Sequence, residues 1–260
     1  MKIAWFSCGI TSAVSCKIAL RDYEDVQLYY IAGMLVHYDN DRFINDCEKW
    51  YGQKINIVEN GKYNSHFEVI KKIKYINGVA GAPCTKLLKK DVRTRLEKEL
   101  NPENQIFGFE FSKKEINRAV RFEEQYPDSR PLYPLIENKL NKNECAGILK
   151  NAGIDIPAMY KLGYNNNNCI GCVKGGKYYW NQIRIDFPDV FNEMQDIENS
   201  IGASAMKTPL RDLKETEGNK NDEVKFECGL FCEVEFADLV SDKTLKIMQN
   251  EKTVSNIRFR

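Results

Sequence analysis

The chain has 260 residues, 43% hydrophobic and 29% charged, and its 38 basic against 37 acidic side chains leave a net charge of +1. That length suits one large α/β domain, or one domain with a small appendage, and the charge balance excludes a polyanion partner recruited by bulk charge alone. No apolar run reaches the length of a membrane span, and Met1–Ser7 lacks the long apolar core and cleavage site of a signal peptide, so a cytoplasmic chain with no membrane partner is expected.

Residues 2–7 form an apolar run that ends at Ser7-Cys8-Gly9, and Ala13, Val14, Cys16, Ile18, Ala19 and Leu20 continue at helical spacing. This reads as strand, tight turn, helix. A second strand is expected over 27–37, then a helix over 40–51 capped by Asp39 or Asn40, and a third strand over 54–58. A helix at 65–73 leads into a glycine-rich loop, and a long amphipathic helix is expected from Thr85 to Leu100. A fourth strand comes next at 104–108, with a charged helix at 113–124. Strands alternating with helices predict βαβ units and a mostly parallel sheet. Asn165–Asn168 reads as a polar turn, 176–197 as a helix broken at Pro188, and 214–223 as a mobile loop. The division expected is a nucleotide-binding domain over 1–160 and a cysteine-bearing extension over 161–260.

The turn Ser7-Cys8-Gly9-Ile10-Thr11-Ser12 is the first candidate site. Small residues between a strand and a helix present consecutive backbone N–H groups beside the positive end of the helix dipole, which suits a phosphate or sulfate. The Gly-Lys-Ser/Thr of a Walker A loop is missing.

This turn resembles the PP-loop, Ser-Gly-Gly-x-Asp-Ser, of the ATP-pyrophosphatase and PAPS reductase superfamily. Ser7, Gly9 and Ser12 match; Cys8 stands where the family has its first Gly, and Thr11 where it has Asp. Over residues 1–195 further segments resemble the PAPS reductase branch in order and spacing: Cys84-Thr85 and the lysines after it, Gly108 with Glu115, Arg118 and Ala119, and Pro134-Leu135-Ile136. The resemblance implies an open, mostly parallel five-stranded sheet with helices on both faces. It further implies an adenine nucleotide (ATP, or the sulfonucleotides PAPS or APS) at the carboxyl ends of the strands, in agreement with the rule for such sheets. Mg²⁺ would assist ATP cleavage, although the family's Asp is replaced. His37, Lys89 and Arg118 would join the turn in holding the nucleotide. A core histidine, and for Lys89, Lys90 and Arg93 a solvated helix face, are the alternatives; Asp39, Asp41 and Arg42 lie on the same rim.

Nine cysteines, an odd number, argue against a disulfide framework. Cys16, Cys47 and Cys145 fall in helical patterns and read as small buried hydrophobes. Cys169-Ile170-Gly171-Cys172 and Cys228-Gly229-Leu230-Phe231-Cys232 are close thiol pairs, a four-thiolate pattern that suits an iron–sulfur cluster or zinc. By the resemblance, Cys84 is either a further ligand or the nucleophile or persulfide carrier beside the metal, and Cys228 is a ligand first and a nucleophile second. The function expected is therefore sulfur chemistry on an adenine nucleotide. It takes the form of ATP-dependent adenylylation of an acceptor followed by sulfur transfer, or of sulfonucleotide reduction, with a sulfur- or electron-donor protein as partner. A non-catalytic nucleotide-binding module with structural zinc, and an enzyme that modifies nucleic acid, are the competing readings.

Overall fold

The computed structural model describes residues 1–78 and 81–220. Five strands, β1 (Lys2–Phe6), β2 (Val26–Ile31), β3 (Ile55–Val58), β4 (Asn104–Ile106) and β5 (Pro131–Leu132), form one open sheet in the order β3-β2-β1-β4-β5. Every pairing is parallel. Successive strand residues point to opposite faces. Ala4 and Phe6 therefore enter a core with α1 (Ile10–Asp22), α2 (Asp39–Tyr51) and α8 (Lys142–Asn151). Ile3 and Trp5 enter the opposite core, with α5 (Asp91–Leu100) and α6 (Lys113–Gln125). The fold is α/β with helices on both faces, as the alternation of elements predicts.

Three boundaries differ from the pattern reading. β2 stops at Ile31, short of His37: Ala32 donates a last bond to the Val58 carbonyl (2.8 Å), and Gly33, at φ +91°, turns the chain out of the sheet. Neither Asp39 nor Asn40 caps α2; Tyr38 precedes the helix without a side-chain cap. The expected Thr85–Leu100 helix is composite. A short turn, α4 (Pro83–Thr85), runs into a π-helical stretch, Lys86–Lys90, where the Asp91 N–H reaches back to the Lys86 carbonyl, and α5 begins there.

A polar thread crosses the second core. The Trp5 indole donates to Gln105 (2.8 Å), Gln105 to Glu97 (2.8 Å), and Glu97 lies 3.4 Å from Arg93. Arg93 is only 1% exposed, with its guanidinium over the rings of Tyr126 (4.8 Å) and Phe122 (5.6 Å). The charge is held by an aromatic and carboxylate environment rather than by water.

After α7 (Pro134–Glu137) and α9 (Ala158–Lys161), the chain forms α10 (Lys177–Asp186) and α11 (Pro188–Ile201), broken at Pro188 as expected. Trp180, Ile183, Phe191 and Met194 pack with Phe67 and Ile70 of α3 (His66–Ile73) in a third core. In the loop expected over 214–223, the carbonyls of Lys214, Glu215 and Glu217 all accept from Asn181 Nδ2, and 221–223 lie outside the described residues. Among the described residues no helix is long and apolar enough to cross a membrane.

Trp180 is fully buried. Trp180→Ala is expected to cost about 3–5 kcal/mol in urea denaturation; a loss under about 1 kcal/mol would mean that the helices after residue 176 contribute little to the common core.

Candidate functional site

In a sheet of order β3-β2-β1-β4-β5 the chain winds one way from β1 and the other way from β4, which opens a crevice at the carboxyl ends between these two strands. A cavity of about 130 Å³ fills this crevice. Its floor is the turn after β1 (Ser7, Thr11, Ser12), and one wall is the segment after β4 (Phe107 to Glu110, then Lys114, Glu115 and Arg118). The two segments touch. A Cβ built on Gly108 would stand 2.7 Å from Ser12 Cα and 2.8 Å from Ser12 N, so only glycine fits there without a shift.

Within the turn, Ser12 Oγ accepts from the Ser7 N–H (3.0 Å), the Ser7 hydroxyl (2.9 Å) and the Gly9 N–H (3.3 Å), and donates to the Gly9 carbonyl (3.0 Å). A hydroxyl oxygen thus occupies the focus of the turn's donors. Cys8 has φ +58°, the left-handed region that glycine enters most easily, which explains why its position suits Gly. Burial, with Cys47 close by, pushes the Cys8 thiol well above its usual range. Cys16 is pushed up by the same causes, and burial raises Cys47 to about 12. These thiols are packing groups, as read from the helical pattern for Cys16 and Cys47; Cys145 is buried as well.

The cavity carries four cations, Lys89, Lys114, Arg118 and Lys142, against two carboxylates, Glu110 and Glu115. Lys89 is 7% exposed and is turned inward on the π-helical stretch. Arg118 lies over the Phe109 ring (4.6 Å) and 3.2 Å from Glu115. Lys142, at the start of α8, donates to the Asn165 carbonyl and to Asn166 Oδ1, both at 2.7 Å.

Expected side chains also lie away from the cavity. His37 does not line the cavity: it sits at the rim, its ring 4.4 Å from Tyr38 and 6.1 Å from Phe187, and its Nδ1 accepts from the Asp39 N–H. Of the three basic residues on this stretch Lys89 lines the cavity, whereas Arg93 faces the second core and Lys90 donates to the Tyr126 hydroxyl (3.0 Å). Tyr30, Asn40, Lys114, Lys142 and Asn166–Asn168 line the cavity without having been expected there. The run of four asparagines was the one visible signal, and the last three are buried.

A second cavity, about 20 Å³, adjoins the first and shares Met34, Lys89 and Cys169 with it. Cys84, Cys169, Cys172 and His66 line it. The C-x-x-C loop is pinned on every side. The Tyr179 hydroxyl donates to the Cys169 carbonyl (3.0 Å) and accepts from the Cys172 N–H (2.9 Å), and the Ile170 N–H reaches the Leu35 carbonyl (2.9 Å). His66 Nε2 lies 3.3 Å from the Gly171 carbonyl, which only accepts, so that nitrogen carries the hydrogen. Gly171 has φ +74°, and a Cβ there would meet Val190 at 2.7 Å and Phe67 at 2.8 Å. Cys228 and Cys232 lie outside the described residues. Among the described residues no three His, Cys, Asp or Glu side chains gather closely enough to hold a metal ion.

No protein-family model matches the chain, and no curated protein matches it.

Gly108→Ala is expected to destabilise the fold by about 1–3 kcal/mol through overpacking, and to weaken anion binding at the turn more than Gly147→Ala, where a Cβ meets nothing within 4 Å. Equal effects in thermal melts and anion titrations would deny the close approach its role. On the rim, Arg42 donates twice to Asp39 (both 2.7 Å), and the Ala158 N–H donates to the same carboxylate (2.8 Å). The Arg42 bonds hold the Asp39 carboxyl below its ordinary value. Its stabilising effect is therefore complete above the unfolded value, about 3.9, and fades as pH falls through the lower folded value. Asp39→Asn is expected to lower the melting temperature at pH 7 and to narrow its gap to the parent protein as pH drops below about 4.

Proposed function

We propose that the protein is an enzyme of sulfur chemistry that binds an adenine nucleotide in the larger cavity, with the phosphate or sulfate on the Ser7–Ser12 turn. One observation carries the reading: the cation-rich cavity and the thiol-lined cavity share a wall, Met34, Lys89 and Cys169. An anion seated on the turn then lies within reach of a chamber that holds Cys84, Cys169 and Cys172.

The chemistry derives from the groups present. Lys89, Lys142 and Arg118 would offset negative charge on the bound nucleotide and on the leaving group. Cys84 is half-buried where Cys8, Cys16 and Cys47 are sealed in the core, which makes it the nucleophile of choice. With a sulfonucleotide, its thiolate attacks sulfur, an S–S bond forms, the S–O bond breaks and the nucleotide leaves. Cys169 or Cys172 then displaces sulfite and leaves a disulfide, which an electron-donor protein reduces. With ATP, an acceptor oxygen takes the adenylyl group, pyrophosphate leaves, and a sulfur nucleophile displaces AMP. Carboxylates for Mg²⁺ would come from Glu110 or Glu115, because Thr11 offers a hydroxyl where the resembled family has Asp. Iron–sulfur or zinc ligation at Cys84, Cys169 and Cys172 needs a ligand from outside the described residues, and neither route passes through a metal held by these thiols.

Calorimetric titration with ATP, PAPS, APS and pyrophosphate tests the binding. Expected is a nucleotide affinity that falls with salt and falls about tenfold, 1.4 kcal/mol, in Lys89→Ala. Product assays on the anaerobically purified protein, with iron and zinc measured alongside, then separate the routes: sulfite from PAPS or APS, or pyrophosphate from ATP with small-molecule, tRNA or DNA acceptors. Failure of all four ligands to bind would overturn the reading.

A further inference from the structure

We propose that the Tyr30 hydroxyl is a binding group of the anion site: it donates a hydrogen bond to the oxygen that a phosphate or sulfate on the Ser7–Ser12 turn presents toward the thiol chamber. The inference rests on the nucleotide reading of the larger cavity.

Tyr30 lies on β2 beside Phe6 of β1, and the two rings meet edge-on at 6.2 Å. Its phenol ends among four separate segments. It hydrogen-bonds with the Cys8 thiol in the turn and with the Asn40 amide on α2, and it lies within electrostatic reach of Lys89 and Cys169. Those last two are among the three residues in the wall between the cavities, and Tyr30 itself lines the larger one.

The direction of each bond follows from one backbone carbonyl. The Cys8 carbonyl only accepts, so the Asn167 group that reaches it at 2.8 Å is Nδ2. The same Nδ2 donates to Asn40 Oδ1 (2.9 Å). With that oxygen committed, the Asn40 amide nitrogen is the group turned to Tyr30, and it donates to the phenol oxygen. The phenol hydrogen must therefore point elsewhere. Burial, reinforced by the nearby Cys8, pushes the phenol above its ordinary value, although Lys89 works the other way, so the hydrogen stays on.

On the core side that hydrogen meets the Cys8 sulfur, a weak acceptor. A turn about the C–O bond brings it to the cavity that Tyr30 lines. There it meets an oxygen of the bound group, and a hydrogen bond to an ionised acceptor is roughly twice as strong as one between neutral groups. The exchange gives up little at the sulfur and needs no movement of the chain. It sets an O–H donor beside Lys89, so that one cation and one hydroxyl hold the bound group on its thiol-facing side.

The test uses the full chain, reduced, with pyrophosphate as the probe. Tyr30→Phe keeps the ring against Phe6 and removes the O–H alone. Its pyrophosphate affinity in calorimetry is expected to fall about tenfold, with a melting temperature in the absence of pyrophosphate close to that of the parent. In a second measurement 3-fluorotyrosine replaces Tyr30 alone. Its fluorine resonance is expected to shift on saturation with pyrophosphate and to stay in place with chloride at equal ionic strength. A tyrosine that only supported the turn would weaken binding in Tyr30→Phe without its phenol sensing the anion. Affinity in Tyr30→Phe equal to that of the parent, or a fluorine signal left unmoved despite measured binding, would overturn the proposal; the fluorine result decides alone if Tyr30→Phe does not fold. Absence of pyrophosphate binding in the parent would overturn the nucleotide reading, and this proposal with it.

Discussion

Gly108 and Ser12 meet backbone to backbone, and the rest of the site is arranged around that contact. Neighbouring parallel strands leave the sheet side by side, and the loops that continue them must diverge or collide. Here the segment after β4 leans onto the first turn of α1 at a distance no Cβ tolerates. This closeness brings the cations after β4 over the donors after β1. It converts a topological crevice into a cavity with a basic wall and an N–H-bearing floor.

The charge in that cavity is unbalanced by the path of the chain. Lys89 lies on the π-helical stretch and, buried like Thr85 and Leu88, lines the cavity, although a lysine in a charged run reads as a surface residue. Lys142 arrives from a later part of the sequence, held over the Tyr160 ring (4.9 Å), while the Tyr160 hydroxyl accepts from the Ile10 N–H at the head of α1 (3.4 Å). Four cations against two carboxylates in a partly enclosed space favour an anionic occupant, because enclosure strengthens each attraction relative to water.

The cysteines divide by environment. Cys8, Cys16 and Cys47 are sealed among Phe6, Phe43 and Tyr51, where burial opposes the thiolate. Cys84, Cys169 and Cys172 instead face a small chamber whose loop is fixed by Tyr179, Leu35 and the close fit of Gly171.

The sequence by itself determined the order of elements, the tight turn after β1, the break at Pro188 and the burial of the cysteines at helical spacing. Each rests on local periodicity or on the conformational limits of Gly and Pro, which act over a few residues. It misjudged where that logic stops. Leu35 and Val36 extend the apolar run of β2, but they are apolar because they line the third core and the cavity. Arg93 looks like a surface cation until Phe122 and Tyr126, from a later helix and its end, fold over it. Lys142 and His66 carry no local signal for the places they take at the two cavities, and Asn167 only that of its asparagine run. Their partners lie a hundred residues or more away in the case of His66 and Asn167. Only the parallel winding of the sheet, which brings the carboxyl end of every strand to the same edge, draws them together.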